Sequence, residues 1–234
     1  MSVPEQDGRS VVAVRGSAAT TVLTYDDGPT PGVTDDLLPV LAEAGATATF
    51  FVLLTRVRAE LGLLHEVLSA GHEVGLHGPD HLRLTSLPSA AHAARFRDAK
   101  AELEDVAGVP VRWSRPPYGR QDRASWRAAH ETGLQPVLWS LTCRDWETHP
   151  PEEYLAELCA ADPAGGVLLL HDGYADARDG VDDGPEPALD RIALTRAVLD
   201  QLAAHDLTGC SLGRALATDA PELRPWLEEL GDPS

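Results

Sequence analysis

Apolar, β-prone runs alternate with amphipathic segments along almost the whole chain, and this alternation constrains the fold more than any other feature. Strand-like runs fall near residues 21–25, 46–52, 73–77, 111–115, 135–140, 167–171 and 207–211, with helix-like segments near 33–44, 56–70, 88–106, 122–131, 151–160 and 189–205. Such alternation reads as parallel βα units. The first helix illustrates the pattern: Thr34 is placed to cap it, Leu37, Leu38, Val40 and Leu41 form its apolar stripe, and Gly45 ends it where a left-handed residue is easiest. Residues 11–15 read as an extra strand closing the bottom, and the tail after Ala220 as a short helix or a frayed end. Neither an internal repeat nor an inter-domain linker is visible. The expectation is therefore one α/β domain over 1–234, a barrel with its core at about 19–217 and flanking segments at 1–18 and 218–234.

Reactive side chains gather where strands are expected to end. The segments are Thr24-Tyr25-Asp26-Asp27-Gly28-Pro29, His77-Gly78-Pro79-Asp80-His81, Arg115-Pro116-Pro117-Tyr118-Gly119, Asp145-Trp146 and Leu168-Leu169-Leu170-His171-Asp172. In a parallel barrel the C-terminal strand ends meet at one face. An aspartate pair, three histidines and an arginine at one mouth point to metal-assisted hydrolysis.

Each segment also has a plain reading. Asp26 and Asp27 would point to opposite faces of a regular strand, so a shared site requires the strand to be ending, which Gly28-Pro29 allows. One carboxylate could then bind a metal and the other take a proton from water. The plain reading is an acidic turn. His77 and His81 would be brought together by the turn at Gly78-Pro79, and two imidazoles with one carboxylate leave room for water and substrate. Alternatively they are a surface pair. The prolines after Arg115 make a stiff loop able to aim a backbone N–H at a developing oxyanion, while Arg115 can orient a carboxylate. His171 suits a general acid with Asp145 holding its ring, and Trp146 and Leu169 could wall a small apolar pocket. A lone histidine at a core edge is the plain alternative.

Taken in order, these segments resemble the polysaccharide deacetylase family with the NodB homology domain (carbohydrate esterase family 4), from about Thr21 to Leu216. The resemblance implies a distorted (β/α)7–8 TIM-like barrel, a divalent metal, usually zinc, and hydrolysis of an N-acetyl group. On matching positions it implies Asp26 as base and Asp27, His77 and His81 as metal ligands. It further implies Arg115 positioning the base, the Tyr118 backbone N–H polarising the carbonyl, Asp145 tuning the acid His171, and Trp146 with Leu169 holding the acetyl methyl. Cobalt, nickel or iron also suit such a ligand set. Three positions depart from the family pattern: Gly78 stands for Ser or Thr, Thr142 for Asp, and Tyr25 for Phe.

Composition bounds the partners. The formal net charge of -18 argues against a nucleic-acid backbone or an anionic membrane. The segment from Met1 to Arg9 has no apolar core and no basic start, and no apolar run reaches a membrane span, so a cytoplasmic enzyme is expected. Cys143, Cys159 and Cys210 suggest no disulfide framework. The cytoplasmic expectation favours a small N-acylated metabolite as substrate. Asp176, Asp179, Asp182, Asp183 and Glu186, opposed only by Arg178, suggest a negative rim and a cationic substrate, unless the loop is merely solvated. A deformylase, a ring-opening amide hydrolase and a non-catalytic binding module are the rival readings.

Overall fold

A strand buried along nearly its whole length, β2 (Thr20–Asp26), is the hub of the sheet, as expected for a parallel strand covered on both faces. In this computed structural model, which describes residues 8–16 and 19–228, β2 has three parallel neighbours. β8 (Val167–His171) pairs with it from Val22 to Asp26, placing His171 opposite Asp26. On the other edge β3 (Thr49–Leu53) takes its C-terminal half and β9 (Thr208–Cys210) its N-terminal half. The sheet runs β6 (Gln135–Pro136), β5 (Trp113–Ser114), β4 (Glu73–Gly78), β3, β2, β8, β7 (Leu141–Thr142).

The strand expected at 135–140 is split. Gln135 pairs with Trp113 on β5, and Leu141 pairs with Leu168 on β8. Between them the Val137 N–H goes to Ser114, the Leu138 N–H to Val11 and the Ser140 N–H to Val167. A stretch that changes partner so often cannot keep a regular ladder. It joins the two ends of the sheet order and closes a distorted barrel.

Helices coat the outside: α1 (Thr34–Glu43), α2 (Leu54–Ala59), α3 (Leu61–Ser69), α4 (Ser89–Ala107), α5 (Arg123–Glu131), α6 (Ala156–Ala160), α7 (Arg191–Ala204) and α8 (Leu212–Ala215). The outward strand residues Leu23, Phe50, Leu76 and Leu168 pack with Leu41, Leu64, Phe96 and Val198 of the helices. The helix expected at 56–70 is two helices, broken at Glu60, whose φ of −128° and ψ of 47° are not helical. The one expected at 151–160 shrinks to a 3-10 turn, Pro151–Glu153, and the short α6. Thr34 is the first residue of α1 rather than its cap. Its hydroxyl accepts from the Thr30 N–H (2.7 Å) and donates to Asp172 (2.6 Å). Gly45 follows the helix with φ 63°, as expected.

Inside the barrel, Val22, Phe51, Val137 and Val167 form a second cluster with Val11, Val14 and Leu212. The first two of the latter belong to β1 (Arg9–Arg15), which pairs antiparallel with β10 (Ala220–Pro225). The tail after Ala220 is thus a strand, neither helical nor frayed through Pro225, because β1 offers an edge that needs hydrogen-bond partners. No helix among the described residues is long and apolar enough to cross a membrane. Residues 1–7, on which the cytoplasmic expectation largely rests, lie outside those described.

Gly75 sits where the interior is tightest. A Cβ there would meet the Phe51 ring at 2.7 Å, and that ring lies under the Arg115 guanidinium, 4.2 Å from its centroid. Gly75→Ala should lower the unfolding free energy by about 1–3 kcal/mol through overpacking. The expected observation is a lower urea midpoint at unchanged m-value.

Candidate active site

Asp26 is the last residue of β2, and Asp27 has left it. Asp27 takes φ 74°, a conformation an aspartate tolerates better than most residues, and the left-handed step lets both carboxylates line one cavity. The cavity is about 450 Å³ and is also lined by His77, His81, Tyr118, Trp146, Leu169 and His171. Arg115 and Asp145 lie buried behind it, bonded to Asp26 and His171 respectively. All the side chains singled out in the sequence are therefore brought together.

Asp27 Oδ1 lies 3.3 Å from His77 Nε2 and 3.4 Å from His81 Nε2. One ligand atom from each of the three residues falls within 4.8 Å of the others. His77 Nδ1 is 2.9 Å from the Arg115 carbonyl oxygen. A carbonyl only accepts, so Nδ1 carries the proton and Nε2 turns its lone pair to Asp27. Burial holds the His81 pKa below its ordinary value and favours the neutral ring. Asp27 Oδ1 is buried without a hydrogen-bond partner. Lone pairs of two imidazoles and a carboxylate facing one point repel unless a cation sits among them, so these residues fit a divalent metal of the zinc class.

Asp26 Oδ1 accepts from Arg115 NH1 at 2.7 Å. On the other side of the cavity Asp145 holds His171 twice: Oδ1 is 2.8 Å from Nδ1, and Oδ2 accepts the His171 backbone N–H at 2.8 Å. Burial lowers the His171 pKa, but Asp145, then Asp27 and Asp26, more than offset it and raise it to about 9. The ring is thus an imidazolium at neutral pH, with Nε2–H available. Trp146 meets it edge-on at 5.6 Å. Burial also raises Asp172 to about 7, and its Oδ1 has no partner. That carboxyl packs under Gly28, where a Cβ would meet it at 2.0 Å, so it supports the Asp27 turn rather than lining the cavity.

Comparison with known proteins identifies the family. The family model described as Polysaccharide deacetylase matches residues 13–137. A chitooligosaccharide deacetylase of Azorhizobium caulinodans is 32% identical over 74% of this chain and 81% of its own length. A peptidoglycan-N-acetylglucosamine deacetylase of Bacillus cereus is 35% identical over 66% of this chain and 73% of its own. This chain belongs to the polysaccharide deacetylase family. Among solved structures, the Bc1960 peptidoglycan N-acetylglucosamine deacetylase superposes with TM-score 0.79 at 20% identity, covering 94% of this chain and 97% of that one. A carbohydrate esterase family 4 pseudoenzyme of Bacillus anthracis, BA3943, superposes at 0.71 with 20% identity, over 85% and 65% of the two chains. The fold alone therefore does not separate enzyme from non-enzyme.

Two expectations are corrected. The small, cationic N-acylated partner gives way, because the named relatives act on chitooligosaccharides and on peptidoglycan. The negative rim is largely neutralised. Asp179 is buried against Arg56 (2.6 Å), Asp176 pairs with Arg178 (2.8 Å) and Glu186 with Arg191 (3.3 Å). Asp183 accepts from the Tyr118 hydroxyl at 2.7 Å, and of the two arginines on the cavity wall Arg83 brings positive charge while Arg120 is paired with Glu228.

Arg191 was not foreseen. It is buried and donates to Asp145 Oδ2 at 3.2 Å, fixing the carboxylate that fixes His171. A signal existed: an arginine in the first turn of a helix, directly after its cap Asp190, opposes the helix dipole and needs another reason to be there. Thr24, which accepts from Arg115 at 2.8 Å, and the cavity residues Trp139 and Tyr174 carried no such signal.

In the metal-free protein an NMR titration should place His171 near pH 9. Asp145→Asn should lower that value by about one unit or more, since burial then meets less opposing charge. Because the folded pKa lies above the ordinary 6.5, the imidazolium stabilises the fold fully below 6.5, and that contribution is lost as pH rises through about 9.

Proposed function

We propose that this chain is a metal-dependent N-deacetylase acting on an N-acetylhexosamine unit of a glycan of the chitooligosaccharide or peptidoglycan kind. One observation carries the reading: a buried Asp27–His77–His81 cluster lies in a single cavity with the arginine-held carboxylate of Asp26 and the Asp145-held ring of His171. The named relatives support the acetyl group and the glycan.

Asp27, His77 and His81 would hold the cation, most simply zinc, which supplies Lewis acidity to the amide carbonyl and to the attacking water. Trp146 and Leu169 receive the acetyl methyl. Asp26 takes a proton from the water at the carboxylate oxygen that Arg115 leaves free, and the oxygen attacks the carbonyl carbon. The Tyr118 backbone N–H, aimed by the φ of 60° at that residue, donates to the oxyanion that develops. His171 gives its Nε2 proton to the departing nitrogen while Nδ1 stays bonded to Asp145. Acetate and an amino sugar leave.

Metal content and acetate release together test the roles. Asp26→Asn should keep the metal and lose on the order of a hundredfold or more in kcat. Asp27→Ala should lose metal and activity together. Equal metal loss in the two variants would reverse their assignment, and formate in place of acetate would change the acyl group. Chelation should abolish turnover on chitooligosaccharides, and added zinc should restore it.

A further inference from the structure

The two metal-site histidines differ in what stands behind them. His77 Nδ1 has the Arg115 carbonyl at 2.9 Å. His81 Nδ1 is buried and has no hydrogen-bond partner. The group facing it is Asp183 Oδ2, 3.8 Å away. Asp183 belongs to the strap of residues 173–187 that crosses the mouth after β8, and it is held at both ends. The Tyr174 hydroxyl donates to its backbone carbonyl (3.0 Å) and the Tyr118 hydroxyl to its Oδ2 (2.7 Å). The same strap grips the His81 turn, since the His81 N–H donates to the Asp179 carbonyl at 2.9 Å and Asp179 is locked to Arg56. The His81 ring itself packs on Tyr118, with centroids 4.4 Å apart.

We propose that Asp183 is the carboxylate partner of His81, a positioning residue that takes the Nδ1 proton, fixes the ring with Nε2 towards Asp27, and so makes metal affinity depend on the strap. This rests on reading Asp27, His77 and His81 as the metal site. A ligating histidine almost always donates its second ring N–H to such a partner. A carboxylate oxygen can accept from both Tyr118 and His81, and a shift of about 1 Å brings the second pair into hydrogen-bond range. The carboxylate also adds negative charge behind a ligand, which raises the ring's basicity.

The test is zinc affinity of the full chain, read by competition with a chromogenic chelator, with the ring 15N shifts of His81 in the metal-free protein as a second readout. Asp183→Ala should weaken zinc by about 10–100-fold and move His81 from a single Nδ1–H tautomer to a mixture. Asp183→Glu should recover part of the affinity, and the near-isosteric Asp183→Asn should fall between. Asp182→Ala, an exposed neighbour on the same strap, should leave zinc unchanged. Tyr118→Phe should keep or tighten zinc, because it removes a competitor for Oδ2. If Tyr118→Phe loses as much as Asp183→Ala, Asp183 acts only by holding Tyr118 and the proposal is overturned. Equal zinc affinity in the wild type and Asp183→Ala overturns it too while leaving the proposed function standing. A wild type that binds no zinc overturns the metal reading itself.

Discussion

An arginine inside the barrel holds the site together. The Arg115 guanidinium donates from NH1 to Asp26 and Thr24 on β2, from Nε to the Val137 carbonyl and from NH2 to the Leu138 carbonyl, and it lies over Phe51 of β3. Its own carbonyl accepts from His77 at the end of β4. One residue therefore ties β2, β3, β4 and the irregular β6–β7 stretch, and it does so directly beneath the reacting groups. Taking a guanidinium out of water costs several kcal/mol, which is offset only when its donors are matched. Truncating Asp26 would leave that charge unpaired, at a cost of about 3–5 kcal/mol. The position proposed as the base is thus also one the barrel needs for stability.

Charge is arranged locally, and the net value of -18 describes none of it. On the β2 side a carboxylate is neutralised by Arg115. On the β8 side Asp145 lies between an imidazolium and Arg191, so one buried carboxylate serves two cations. The two poles sit on adjacent strands, with Asp26 and His171 in direct register. Parallel pairing at this register places an imidazole and a carboxylate beside each other through strand pairing alone.

The parts of this arrangement that lie on strand ends were legible from sequence, because period and turn chemistry are local. Asp26, His77, Arg115 and His171 fall where apolar runs stop, and Gly28-Pro29 announced the turn that Asp27 makes. What could not be read depends on partners distant in sequence. β10 is a strand only because β1 presents an edge to it. The 135–142 stretch splits only because β1, β5 and β8 compete for its N–H groups. The rim aspartates looked like free charge because Arg56, more than a hundred residues earlier, gives no sign that it will meet Asp179. The size of the substrate was inferred from the start of the chain and not from the site, and the groups that hold an acetyl are silent about the glycan beyond it.

The strap then changes what kind of mouth this barrel has. Its anchor is an ion pair whose carboxylate is 0% exposed, and the arginine is rigidly placed because α2 begins at the residue after β3. Thr55, beside it, donates to the same carboxylate at 2.6 Å. Lifting the strap would leave a buried guanidinium in the barrel wall without its partner, so the strap behaves as part of that wall rather than as a loop waiting for substrate. The residue whose side chain makes this anchor, Asp179, is also the one whose carbonyl accepts from His81. The ion pair, the histidine turn and the cavity wall therefore meet at one residue, and Asp179 alone stands between Arg56 and the His81 backbone.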